Sequence, residues 1–318
     1  MSVDLESIWG NMAFVQYPER LGQFRLPVPG NPKKTYIAGS SEEEALKNLQ
    51  GMDAKAAIVM TGKGLKPNDY LNYQGKSIKV TSDFVEHLNA NGIPVFGCHF
   101  VTDWSKTQLL SAARRNHLLG VQGLIWDVEF PKDLKNCEIN APAAISATRQ
   151  AFPDLTMGVV TWAQFLNEKH QQIHSIPLAQ AMLCLPEIEL GIPMVCPKNV
   201  VKVGPNKNVR LDVVKLFETK LHNSLSEWST YLPSKSMWIW YPSYTGEGTS
   251  VFGADINPMV GLIAQAISLY PALDIRGPAP WNTDHANRYN ASYGCLDALK
   301  QVDYSVFRGN VSPSPSNS

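Results

Sequence analysis

The chain has no excess charge of either sign: 28 Lys and Arg stand against 28 Asp and Glu over 318 residues. A protein that gathers nucleic acid or an anionic membrane by electrostatics carries a clear cationic surplus, so the balance argues against both and favours a neutral partner such as a sugar or an apolar small molecule. Cysteine is scarce: five are present, an odd number, widely spaced and with no Cys-x-x-Cys. A disulfide framework and a structural zinc site are therefore not expected, and Cys98 and Cys196, set in apolar runs, read as small buried hydrophobes. No apolar run approaches the 18 residues that a membrane-spanning helix needs. The first ten residues carry Asp4 and Glu6 and lack a basic then apolar leader, so the expectation is a cytoplasmic chain, or a secreted one whose leader has been removed. Also missing are the Gly-x-Gly-x-x-Gly and Gly-x-x-x-x-Gly-Lys-Ser/Thr phosphate cradles and a Gly-x-Ser-x-Gly nucleophile elbow. No cofactor is expected.

What is present is a rhythm. Short apolar runs alternate with stretches of helical spacing, and eight strand candidates emerge: Thr35–Ala38, Ala56–Met60, Pro94–Phe100, Gln122–Pro131, Leu155–Val160, Pro193–Cys196, Met237–Tyr241 and Leu273–Arg276. The helical stretches between them open on residues such as Ser105 and close on glycines such as Gly120, as caps require. Strands that are apolar on both faces and separated by helices are the mark of a parallel sheet. Eight such units over about 270 residues predict an α/β fold, the (β/α)8 or TIM barrel, built as a single domain. The division expected is an N-terminal arm over 1–33, rich in proline and aromatics, a barrel over 34–307, and a disordered Ser/Pro/Asn tail over 308–318.

The fourth candidate strand ends in two acids, Asp127 and Glu129. Residues two apart in a strand share a face, roughly 6–7 Å apart. Acids at the end of an apolar strand are costly unless they are used or satisfied. They either cap backbone N–H groups or do chemistry. In a barrel the chemistry sits where strands end. The polar and aromatic residues at those positions are His99 and Asp103, then Asp127 and Glu129, Trp162 and Gln164, Lys198 and Asn199, Tyr241 and Tyr244, and Trp281 and Asp284. Two acids ringed by tryptophan and tyrosine suit a carbohydrate, since aromatic faces stack on sugar C–H surfaces while acids and amides read hydroxyls.

The stretch Gly123 to Pro131 resembles the signature of the family 18 glycoside hydrolases, the chitinases and their relatives: Asp-Gly-x-Asp-x-Asp-x-Glu, often followed by an aromatic residue and proline. Gly123 matches the glycine, Asp127 the last aspartate, Glu129 the glutamate, and Phe130-Pro131 the trailing pair; Gln122 and Ile125 replace the first two aspartates. Trp240 to Tyr244 is similar to the family's Met-x-Tyr-Asp-Tyr stretch, and Trp281 to Asp284 to the end of its last strand. The resemblance implies a hydrolase acting on an N-acetylglucosamine-containing oligosaccharide or glycan. Glu129 would be the general acid, Asp127 the group that orients the substrate acetamido, Tyr241 a donor to its oxygen and Trp281 the floor. His99, Asp103, Trp162, Gln164, Tyr244 and Asp284 would complete the binding site. Three alternatives stay open. One is a lectin-like barrel that binds without cleaving, suggested by Ile125. Another is a muramidase similar to glycoside hydrolase family 25, whose first-strand aspartate has no counterpart in Tyr36-Ile37-Ala38-Gly39. The last is a metal held by Asp127, Glu129 and His99. Neither nucleic acid nor membrane is an expected partner, and the oligomeric state is open.

Overall fold

The computed structural model describes residues 3–16, 24–28, 31–38, 41–63, 66–67, 70–71, 77–78, 80–102, 104–128, 134–166, 176–204, 207–232, 235–245, 249–281 and 283–307. Eight parallel strands form a nearly closed barrel: β1 Met12–Val15, β2 Ala56–Lys63, β3 Val95–Phe100, β4 Gly123–Val128, β5 Thr156–Trp162, β6 Leu190–Met194, β7 Ser236–Pro242 and β8 Asp274–Trp281. Helices pack between them: α1 Ser41–Gly51, α2 Ser82–Ala90, α3 Lys106–Leu119, α4 Leu134–Ala151, α5 Ile176–Leu183, α6 Val213–Tyr231, α7 Gly253–Leu269, α8 Thr283–Arg288, α9 Asn290–Tyr293 and α10 Cys295–Gln301. This is the (β/α)8 architecture.

The first strand is not the one expected. Thr35–Ala38 does belong to a strand, but Asn31–Ala38 pairs antiparallel with Phe24–Val28 in a separate hairpin. The barrel instead begins at Met12–Val15, inside the stretch read as an arm, and pairs in parallel with β2. Both segments are short and apolar, and pattern alone cannot say which partner a strand will find. Pro142 and Pro258 lie inside α4 and α7. The caps of α3 are as expected: the Ser105 hydroxyl accepts the Gln108 N–H, and Gly120 takes the left-handed conformation at φ 80°.

The sheet divides the core in two. One set fills the barrel lumen, including Phe14, Ile58, Met60, Phe96, Cys98, Ile125, Val160, Ile192, Met194, Trp238, Trp240, Tyr244, Ala279 and Trp281. The other lies between strands and helices and includes Leu124, Trp126, Val128, Met237, Ile239 and Tyr241. Alternate residues of one strand thus enter different cores, as period two requires.

The seam between β8 and β1 has a physical cause. Among the described residues no backbone ladder joins these strands. The Arg276 carbonyl faces β1, accepting the Gly10 N–H at 2.9 Å, so residues 278 and 280 of β8 point the same way. Both are proline and bring no N–H to that edge. Beyond them the seam is fastened by side chains: the Thr283 hydroxyl donates to Phe14 O at 2.9 Å, and Asp284 Oδ1 accepts the Gln16 N–H at 2.8 Å.

Candidate functional site

The lumen face of β4 carries Ile125 and then Asp127. Ile125 packs in the lumen, its neighbours Leu124, Trp126 and Val128 pack in the outer layer, and Asp127 shares the parity of Ile125. Asp127 is 2% exposed, at the penultimate position of the strand. Across the sheet it stands in register with Phe100 of β3 and Val160 of β5. The next lumen row towards the strand ends is Trp162, Met194, Trp240 and Ala279, successive cross-strand partners on β5 to β8. Trp281 lies one lumen step further, and Ser243 fixes its carbonyl by a 2.7 Å hydrogen bond.

The aromatic rings form a contiguous group. Trp240 and Trp281 have centroids 4.3 Å apart, and Phe14 sits 4.4 Å from Trp281, edge-on, and 5.0 Å from Trp240. Tyr244 joins the same lumen cluster and Trp162 packs at its margin. The Lys63 ammonium lies over the Phe100 ring, 4.6 Å from its centroid, which brings a cation beside the row that carries Asp127.

Other candidates lie elsewhere. Tyr241 faces away from the lumen, fully buried against Phe217 of α6 and beside Tyr304. Burial, with a smaller contribution from Tyr304, raises its phenol well above the ordinary range. It therefore cannot reach a lumen ligand, and Trp240 occupies the inward position beside it. His99 also faces outward: it is fully buried, edge-on to Trp126 at 6.1 Å, and close to Arg115 of α3 around Gly62. It stands on the opposite face of the sheet from Asp127, so the two cannot share a metal or a substrate. Among the described residues no group of three His, Cys, Asp or Glu converges as a metal site would require. Asp284 is fully buried and clamps Gln16 at the seam. Gln164 lies on the loop after β5, half-buried. Asp103 and Glu129 lie outside the described residues.

The loops around the mouth are braced by α6. Ser224 donates to Ala163 O at 2.6 Å, and Glu227 accepts the N–H groups of Phe165 and Leu166, which holds the exit of β5. Lys220 donates to Cys196 O at 3.1 Å after β6; burial, then Lys198, lowers its pKa, while Cys196 opposes the shift. Asn199 receives the Ser250 N–H and donates to Ser250 O and Leu211 O, fixing the base of the next hairpin.

The sequence reading missed Phe14, Lys63, Phe100 and Trp240. For Trp240 the signal was ambiguous, since Met237-Trp238-Ile239-Trp240-Tyr241 is apolar on both faces and its period does not say which face is inward. Among the described residues no helix is long and apolar enough to cross a membrane.

No family model matches this chain, and comparison with curated proteins gives no match. Solved structures do share its barrel. Active domain 2 of a chitinase from Pyrococcus furiosus superimposes with a TM-score of 0.54 at 12% identity, over 84% of this chain and 91% of that one. A chitinase from Chromobacterium violaceum gives 0.51 at 11% identity, over 92% and 99%. A xylanase-A-amylase inhibitor protein gives 0.53 at 8% identity, over 93% and 99%. At such identities the likeness is one of fold: this chain is a (β/α)8 barrel similar in architecture to chitinases and to an inhibitor protein built on the same frame.

Proposed function

We propose that the protein is a glycoside hydrolase acting on an N-acetylglucosamine-containing glycan, with the lumen mouth around Asp127 as its site. The observation that carries this reading is the placement of Asp127 on the lumen face at the carboxyl end of β4, one row below Trp162 and Trp240. Trp162, half-buried at the margin, and Trp281, at the outer edge of the aromatic group, supply the sugar-stacking surface, with Phe14 and Trp240 packed beneath. Glu129, two residues on, protonates the glycosidic oxygen as the bond to the anomeric carbon breaks. The substrate's own acetamido oxygen, oriented by Asp127, attacks that carbon from the other side, and water then opens the cyclic intermediate and returns the proton to Glu129. This is the substrate-assisted variant of carboxylate-driven glycoside cleavage. The placement of Tyr241 removes it from the scheme.

The test is incubation with chito-oligosaccharides and peptidoglycan fragments, with products read by mass. Glu129→Gln keeps the shape of the acid and cannot give the proton, so turnover is expected to fall by about 10²–10⁴-fold with binding retained. Cleavage that survives in Glu129→Gln overturns the assignment of the acid.

A second reading, a barrel that binds a glycan without cutting it, is favoured by Ile125. That side chain is fully buried in the lumen directly below Asp127, where the resembling family has a second aspartate to share its proton. It is also consistent with a barrel of this shape serving as an inhibitor protein. Oligosaccharide binding of equal strength in the wild type and Glu129→Gln, with no products from either, selects this reading.

A further inference from the structure

The lumen row that carries Asp127 also runs the other way, towards β2. Asp127 of β4 stands in register with Phe100 of β3, and Phe100 with Lys63 of β2, so the three share the lumen side at the mouth. Neighbouring strands lie about 4.8 Å apart, which sets Lys63 roughly 10 Å from Asp127 with Phe100 between them. Lys63 is exposed, and its ammonium is held 4.6 Å from the centroid of the Phe100 ring. Among the described residues it has no carboxylate partner. The short hairpin that leaves β2 sets Lys66 opposite Lys63 in register. Like charges opposite one another in a ladder cost stability, a cost that a bound anion removes.

The surroundings carry the same sign. Residues 63–79, the exit of β2, contain Lys63, Lys66, Lys76 and Lys79 against one acid, Asp69. On the opposite wall, after β6, Lys198 and Lys220 are neighbours: burial lowers the Lys220 pKa, Cys196 opposes the shift and Lys198 adds to it. Neither lysine has a carboxylate partner among the described residues. Asp127 and Asp284, the described acids at the strand ends, are buried, whereas Lys63 and Lys198 are open. A chain with no net charge thus presents open cations at its mouth, and a cleft lined by one sign of charge concentrates ligands of the other.

We propose that the glycan taken by this mouth is anionic: an N-acetylhexosamine lies at Asp127 against Trp162, and the neighbouring sugar carries a carboxylate that pairs with the Lys63 ammonium. The inference rests on the reading of the mouth as a glycan site and adds the chemical class of the glycan. The Phe100 ring holds the ammonium in place before the ligand arrives, so little side-chain entropy is lost when the pair forms. The aromatic side of the mouth, β5 to β8, and the cationic side, β2, then read the apolar faces and the charge of successive sugars.

Calorimetric titration of the full chain tests it, in a Glu129→Gln background that spares the ligand. Two acidic probes are used, one alternating N-acetylglucosamine with glucuronic acid and one alternating it with N-acetylmuramic acid. Each is compared with the same oligosaccharide after reduction of its carboxyl groups to alcohols, and with a chito-oligosaccharide of equal length. At least one acidic probe should bind about three- to tenfold more tightly than its reduced form, and which one does identifies the sugar. The ratio should fall towards one in Lys63→Gln, survive in Lys63→Arg, and shrink as salt is raised. Lys47→Gln removes an exposed cation from α1 and should keep the ratio, which separates a contact at the mouth from the charge of the whole molecule. Circular dichroism of every variant reports folding. Equal binding of acidic and reduced probes, or a preference that Lys63→Gln leaves intact, overturns the proposal while the glycan reading stands. Failure to bind any of the probes overturns both.

Discussion

At the scale of single residues, the lumen aromatics separate shape from polarity. Trp240 is 3% exposed, and its indole N–H has no hydrogen-bond partner among the described residues. Replacing it by phenylalanine removes an unsatisfied donor while keeping a ring against Phe14 and Trp281. Trp240→Phe is therefore expected to change stability by less than about 1.5 kcal/mol, because the lost volume is offset by the donor no longer being stranded. Trp281→Ala instead empties the space between two rings and should cost about 3–5 kcal/mol. Urea unfolding monitored by far-ultraviolet circular dichroism compares the two. A loss in Trp240→Phe as large as that in Trp281→Ala would mean that the indole N–H is satisfied after all.

At the scale of elements, the seam and the mouth loops are the points where small changes travel. A Cβ built on Gly277 of β8 falls 2.1 Å from the Gly10 carbonyl oxygen, a backbone atom that cannot swing aside. Gly277→Ala must therefore push β8 from the turn that leads into β1, and a loss of about 1–3 kcal/mol or more is expected, read as a lowered urea midpoint. An unchanged midpoint would show that the seam is looser than its backbone contact implies. Glu227 acts one element away, since its carboxylate from α6 holds the N–H groups of Phe165 and Leu166. Glu227→Ala should release both, at a cost of about 1–3 kcal/mol to the loop. Hydrogen exchange in a peptide spanning residues 163–166 should quicken while α3 and β4 keep their protection. Uniform protection across both regions would remove the brace from the account of the mouth.

At the scale of the whole molecule, pH reads the outer core. Tyr241, Tyr304 and Cys295 lie close together behind β7. Burial raises both phenols, and it pushes the Cys295 thiol up to about 12. In the unfolded chain these groups ionise near their ordinary values, about 10 for tyrosine and about 8.5 for cysteine. Above those values the unfolded state binds fewer protons than the native one, so their contribution is complete below about pH 8 and is lost as pH climbs towards the folded values. The melting temperature should hold up to about pH 8 and then decline through pH 11, and Cys295→Ser should remove the earliest part of that decline. A flat profile to pH 11 would place the three groups in contact with water.

The sequence alone determined the class of the molecule. Alternation of two-sided apolar strands with capped helices calls for a parallel sheet covered by helices, and eight such units over about 270 residues fit the barrel. Seven of the eight barrel strands lay close to where their hydrophobic runs put them, and the acid at the end of β4 was legible because a carboxylate is costly anywhere but at a strand's open end. The tertiary structure decided which partner and which face. Met12–Val15 and Asn31–Ala38 are both genuine strands, and only pairing assigned the first to the barrel and the second to a hairpin. His99 and Tyr241 turned outward while Asp127 and Trp240 turned in. A strand buried on both sides carries no polarity difference to announce its lumen face, and that choice is fixed by register with its neighbours.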